Sequence, residues 1–128
     1  MTRKALPLLA ISVLLLAGCA STYDSDPDWP VGEWRFRKNF STPPQENVLT
    51  GTLRFERQGR HYTGKIFFDA LQKWETLEEV YAGDASIRWY RPDYPEMFQG
   101  CRTEKGIKGY WSTWPGTFMD GHWEAERP

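Results

Sequence analysis

The sequence predicts an all-β protein: a single small antiparallel up-and-down β-barrel of eight strands. Three observations predict it. Apolar and polar residues alternate with period two through a series of short segments, and turn signals separate those segments every 10–15 residues. Glycines recur inside the segments at Gly51, Gly64, Gly100, Gly109 and Gly121. Glycine within a strand permits the sharp coiling and close backbone approach that small barrels need. A chain of this size removes its exposed sheet edges by closing the sheet on itself.

The elements follow in order from Val31. Trp34 and Phe36 alternate with Arg35 and Arg37, up to a loop holding Pro43 and Pro44. Leu49, Gly51, Leu53 and Phe55 alternate with Thr50, Thr52, Arg54 and Glu56, and Gln58-Gly59-Arg60 makes a turn. Tyr62, Gly64, Ile66 and Phe68 form the next inward series. The segment 69–83 carries two patterns. As a helix it has Asp69 as N-cap, Leu71, Trp74, Leu77 and Tyr81 on one face, and Gly83 as C-cap. As a strand it spans Lys73–Val80 and turns at Ala82-Gly83-Asp84; the regular spacing of the other elements favours this choice. Ile87 and Trp89 then lead to a Pro92–Pro95 loop, Phe98 and Gly100 to a turn at Glu104-Lys105-Gly106, and Ile107, Gly109 and Trp111 to a turn at Pro115-Gly116. Thr117 to Glu126 makes the last strand.

This phase points Trp34, Phe36, Leu53, Phe55, Tyr62, Ile66, Phe68, Leu77, Ile87, Trp89, Phe98, Ile107 and Trp111 inward. An eight-stranded barrel holds side chains or one small ligand. Thirteen large residues fill most of the space, so the sequence predicts a shallow mouth lined by aromatics in place of a deep cavity. The mouth candidates are Trp89, Tyr90, Arg91, Tyr94, Met97 and Trp114, from the 91–97 loop and the 113–116 turn. Trp and Tyr beside Arg either anchor a protein, a glycan ring or a lipid tail, or simply cap the core.

The N-terminus is of a different kind. Arg3 and Lys4 precede an apolar run from Leu6 to Leu16, the length of a secretory signal and too short for a membrane span. Leu16-Ala17-Gly18-Cys19 follows. These four positions resemble the bacterial lipobox, which implies removal of residues 1–18 as a signal peptide and lipidation of Cys19 through its thiol. Two or more acyl chains, palmitate among them, anchor a protein stably. Ala20 in place of Asp after the cysteine implies, by the same resemblance, an outer-membrane lipoprotein facing the periplasm. Residues Ala20 to Pro30 are polar, acidic and hold two prolines. With Cys19 they read as a lipidated, flexible tether (19–30) that reaches at most about 36 Å, followed by a barrel domain over 31–128.

Without its first 18 residues the chain keeps 110, one small domain, with 14 basic against 17 acidic side chains. That balance argues against nucleic acid as a partner and supplies no polybasic patch for anionic lipid. All 7 Trp, 6 Tyr and 7 Phe fall in this part. With Cys19 lipidated, Cys101 stands alone and no intramolecular disulfide is available. It is then a reactive thiol, an intermolecular bridge or, the favoured reading, a small buried hydrophobe.

Gly-x-Trp occurs at Gly32-Glu33-Trp34, Gly109-Tyr110-Trp111 and Gly121-His122-Trp123, and Arg127 lies just beyond the last strand. The first triplet together with Arg127 resembles the lipocalins and the wider calycin group of small barrels. The resemblance implies that Trp34 plugs one end beneath Arg127 in a cation–π contact. The chain departs from lipocalins in its length, tight loops and missing C-terminal helix. Its compactness is more similar to avidin-type barrels and to bacterial lipoprotein barrels, including lysozyme-inhibitor lipoproteins, whose signature loop it lacks.

Catalytic constellations in the sequence are poor: His61 and His122 share no ligand spacing with Cys101, and no serine elbow or phosphate loop occurs. The expectation is a non-enzyme with no metal and no cofactor. Its leading function is binding a small apolar or amphipathic ligand, or envelope material, at the barrel mouth. The alternative is a protein-interaction module, an inhibitor or envelope assembly factor, with a side-chain-filled barrel. A filled interior favours the alternative; an open mouth with a polar group at its base favours the leader.

Overall fold

The computed structural model describes residue 19 and residues 23–40, 48–92, 95–113 and 120–128. Eight strands form a closed antiparallel up-and-down barrel: β1 (Gly32–Asn39), β2 (Val48–Gln58), β3 (His61–Phe68), β4 (Lys73–Ala82), β5 (Ser86–Arg91), β6 (Glu96–Arg102), β7 (Gly106–Thr113) and β8 (Gly121–Glu126). The segment with two patterns is a strand, β4. No helix occurs among the described residues. Residues 114–119, which include the start of the expected last strand, lie outside them.

Closure is made by β1 against β8, where Arg35 faces Glu126 and Arg37 faces Glu124 on the outer surface. Opposite charges directly across a seam stabilise that register and disfavour slippage. The inward phase is the apolar one in every strand. Phe36, Leu53, Phe55, Ile66, Trp89 and Phe98 have no solvent exposure. Most interior ring pairs meet edge to face; Phe36–Trp123 is tilted, and Phe98 is stacked between Trp89, with centroids 3.9 Å apart at 5°, and Trp111. Two inward glycines make room for rings. A Cβ at Gly64 would stand 2.8 Å from Phe55, and one at Gly100 would stand 2.7 Å from Trp123. The Trp123 ring has little freedom to retreat, since its indole N–H donates to the carbonyls of Gln99 (3.0 Å) and Tyr110 (3.1 Å).

In β4 the inward phase slips. Glu75 and Leu77 are buried, then Val80, with a register shift between Glu78 and Tyr81 and a φ of 50° at Glu79. One extra residue in a strand inverts its phase beyond the bulge. Tyr62, expected inside, is half-buried at the barrel end. Trp123, Ala125, Val80 and Ala85 complete the core.

One barrel end is closed by residues that the composition assigns to the tether. Trp29 and Pro30 are buried. The Trp29 indole donates to the Gly83 carbonyl at 2.7 Å, and its ring meets Trp34 edge to face at 6.4 Å. The Pro30 carbonyl accepts the Trp34 indole N–H at 2.8 Å. Outside, the Tyr62 hydroxyl donates to the Pro27 carbonyl at 2.6 Å and Arg57 pairs with Asp28 at 2.7 Å. The Arg127 guanidinium lies 3.7 Å from the Trp34 ring centroid and donates to the Trp29 and Glu33 carbonyls. Asp26–Pro30 therefore belong to the folded barrel, because Trp29 gains an apolar seat and a hydrogen bond that no solvated tether offers.

Cys101 also departs from expectation. It is half-buried and disulfide-bonded to Cys19, with Cα atoms 4.9 Å apart and a separation of 82 positions in sequence. The expectation of a lone Cys101 assigns the Cys19 sulfur to a lipid. In the unacylated chain that sulfur is available, and the fold brings it to β6.

Trp29→Ala is expected to cost about 3–5 kcal/mol of stability in urea unfolding. A flexible tether would give no measurable change.

Candidate functional site

The last residues of β1, β3, β5 and β7 lie at the end of the barrel opposite Trp34. There the inward phase changes character. Lys38 closes the inward series of β1, Glu75 opens that of β4, Arg91 ends β5 and Glu96 begins β6. All four are buried. Arg91 grips Glu75 with two parallel hydrogen bonds, Nε to Oε1 at 2.9 Å and Nη2 to Oε2 at 2.8 Å. Its Nη1 donates to Glu96 Oε1 at 2.8 Å, and the other Glu96 oxygen accepts from Lys38 Nζ. The result is a continuous line, Lys38–Glu96–Arg91–Glu75.

Aromatic faces cover the cations. Lys38 Nζ is 3.9 Å from the Trp111 ring centroid, and the Arg91 guanidinium is 4.4 Å from that of Phe68. Burial pushes the Lys38 ammonium below the usual lysine range, while the Glu96 carboxylate pulls it back up. Burial also opposes the Arg91 charge, but the hydrogen bonds and charges of Glu75 and Glu96 more than offset it and hold Arg91 above its ordinary value. The two positive and two negative groups are turned on one another. No cluster of three His, Cys, Asp or Glu able to hold a metal occurs among the described residues.

Four of the six mouth candidates are described, and they point in different directions. Trp89 is a core residue with no exposure, stacked on Phe98. Arg91 points inward to the two carboxylates. Tyr90 and Met97 are half-buried on the outward phase of β5 and β6, facing each other across the strand pair. Tyr94 and Trp114 lie outside the described residues. His61 and His122 are exposed on β3 and β8, on opposite phases to the core.

The charged line holds three residues that the mouth prediction omits: Lys38, Glu75 and Glu96. Their signal is the phase itself. Each lies two residues from a buried apolar neighbour (Phe36, Leu77 and Phe98), so each inherits an inward direction. The rim of the same end also exposes two large apolar side chains. Leu71 is 46% exposed and Trp74 41%. Trp74 is held outward against Phe67, with Arg54 at 5.0 Å and Lys65 at 4.8 Å from its ring centroid.

No protein-family model, no curated protein and no solved structure matches this chain.

Glu96→Gln leaves the Lys38 ammonium buried without its carboxylate and is expected to cost about 3–5 kcal/mol in urea unfolding. Adding Lys38→Met should recover most of that loss, which a merely additive pair would not do.

The pH dependence of Lys38 has a definite sign. Its folded pKa lies below 10.5, so up to 10.5 the unfolded chain holds the larger share of protons. Stability from this group therefore rises with pH across that interval. Wild type should gain on Lys38→Met as pH is raised from neutral toward 10.5; a loss would contradict burial of the ammonium.

Proposed function

We propose that this chain is a lipid-anchored bacterial envelope protein, held to the outer membrane through Cys19 and facing the periplasm, that works as a non-catalytic protein-interaction module. The observation that carries the interaction reading is the filled interior. Phe36, Phe68, Trp89, Phe98 and Trp123 occupy the centre of the barrel, and the charged line occupies the space above them. A barrel of eight strands has room for side chains or a ligand, and here the side chains have taken it.

A solid barrel presents surfaces. The rim pair Leu71 and Trp74, with Lys65 and the Glu33-paired Arg54 beside the indole, has the composition of a binding hot spot: a large aromatic at the centre and cations around it. A partner with an apolar pocket edged by carboxylates fits it. The Trp34–Arg127 contact supports the calycin-like reading of the architecture, and the lipobox supports the anchor. Acylation and the disulfide compete for one sulfur, so the acylated protein has Cys101 as a free thiol.

A second reading, binding of a small amphipathic ligand at the mouth, draws support from the polar line beneath the rim. Its weakness is that the four charges are already compensated.

A photo-crosslinking residue at position 71 in the native envelope should yield a discrete protein adduct that Trp74→Ala abolishes. Intrinsic tryptophan fluorescence should stay flat against fatty acids, lysophospholipids and muropeptides. No adduct together with a saturable fluorescence response would overturn the interaction reading in favour of the ligand. Cys19→Ser should abolish palmitate labelling; unchanged labelling would refute the anchor.

A further inference from the structure

We infer that the barrel lies against the membrane leaflet on the outer face of β5–β7 near its plugged end, so that the end carrying Leu71 and Trp74 points away from the lipid. The inference rests on the reading of Cys19 as the anchor and adds to it an orientation and a lipid-contacting surface.

The length of free chain is the first observation. The Tyr23 ring stacks on the Arg102 guanidinium at 4.4 Å, at the end of β6, and from Asp26 onward the chain is packed over the barrel end. Four Cα steps separate Tyr23 from Cys19, a reach of about 15 Å. With Tyr23 held at Arg102, the anchor leaves the barrel beside β6. A tether of the full length expected from composition would let the barrel tumble; one this short sets its pose.

The surface that this places at the leaflet is the second observation. Cys19 lies at a trough of about 390 Å³ whose walls include Tyr81, Ser86, Arg88, Lys108 and Tyr110. Gly100 and Gly109 keep its floor low. Tyr81 is 57% exposed and Tyr110 44%, the other two exposed large apolar side chains among the described residues besides the rim pair. Tyrosine is suited to the headgroup level, where its ring is apolar and its hydroxyl wet. The Arg88 guanidinium stands 5.1 Å from the Tyr81 ring, and Lys108 lines the same trough, which places two cations among lipid phosphates. Glu124 is paired in register to Lys108 across β7–β8. The surface is thus amphipathic and weakly charged, suited to an anchored protein settling on a leaflet and too weak to bind lipid by itself.

The two exposed aromatic groups lie at opposite ends of β4. Tyr81 and Trp74 are seven residues apart, roughly 23 Å along the strand. A leaflet at Tyr81 leaves Trp74 clear in the periplasm, where a protein partner reaches it.

The test uses the full-length lipoprotein from a lipidating host, in a Cys101→Ser background, in phosphatidylethanolamine–phosphatidylglycerol vesicles. An environment-sensitive fluorophore is placed through Ser86→Cys in the trough or through Thr63→Cys on β3, across the barrel. Headgroup spin-labelled lipid should quench the probe at 86 several-fold more than the probe at 63, and Tyr81→Ser with Tyr110→Ser should shrink the difference. Equal quenching, with acyl chains found on the N-terminal peptide by mass spectrometry, overturns the orientation alone. A blue-shifted probe at 86 without lipid quenching assigns the face to a protein contact and also overturns it. An N-terminal peptide without acyl mass overturns the anchor reading and this inference with it.

Discussion

The ring of Phe36 sits where the interior of the barrel is decided. Its centroid lies 6.0 Å from Phe68 and Trp89 and 5.9 Å from Phe98 and Trp123, so rings from β3, β5, β6 and β8 converge on one residue of β1. Closing an antiparallel sheet turns one face into a fixed volume, and that volume has to be filled at the density of an organic crystal. Here large rings fill it, and glycines at positions 64 and 100 concede the space those rings need. The rest of the molecule is arranged around this plug. Beneath it, Trp34 is sandwiched between Trp29 and Arg127. Above it, the barrel can admit polar groups, because the aromatic layer already supplies the apolar burial.

The charged line above that layer is costly to build. Ions removed from water regain their solvation only when geometry and partners are good. Arg91 meets this demand with three hydrogen bonds to two carboxylates, and Lys38 meets it with one carboxylate and the face of Trp111. The line also ties β1, β4, β5 and β6 together at the end of the barrel opposite Trp29. It therefore takes at the rim the place that Trp29 and Pro30 take at the other end. The two ends differ in what they expose as well, with Leu71 and Trp74 at the rim and Tyr81 toward the plug.

The barrel was legible because its signal is periodic. Alternation through Leu49–Glu56 and Tyr62–Phe68, with turn residues between, leaves few other folds for a chain this short. What alternation hides is a residue whose chemistry contradicts its direction. Lys38, Glu75 and Glu96 read as surface charges by type and as core by phase, and the phase wins because each finds a buried partner. Trp29 was hidden by its neighbours, since Asp26-Pro27-Asp28 has the composition of a linker while the indole carries enough apolar area to fold the segment back. The slip at Glu79 depends on a left-handed backbone conformation that no local pattern in β4 announces. The Cys19–Cys101 contact links residues 82 apart and depends on the chain turning back past Tyr23, which spacing alone does not encode.

The central claim is that the barrel interior is solid and dry. Trp89 reports on it directly: its ring is fully buried, and its indole nitrogen has no hydrogen-bond partner among the described residues. Hydrogen–deuterium exchange of the Trp89 indole N–H, followed by nuclear magnetic resonance on selectively labelled protein, distinguishes a sealed interior from a ligand cavity open to water. A side-chain-filled barrel predicts that this proton exchanges among the slowest in the molecule, at the rate of global unfolding. Exchange that is complete at the first time point would mean that water reaches the centre of the barrel, and would contradict the account.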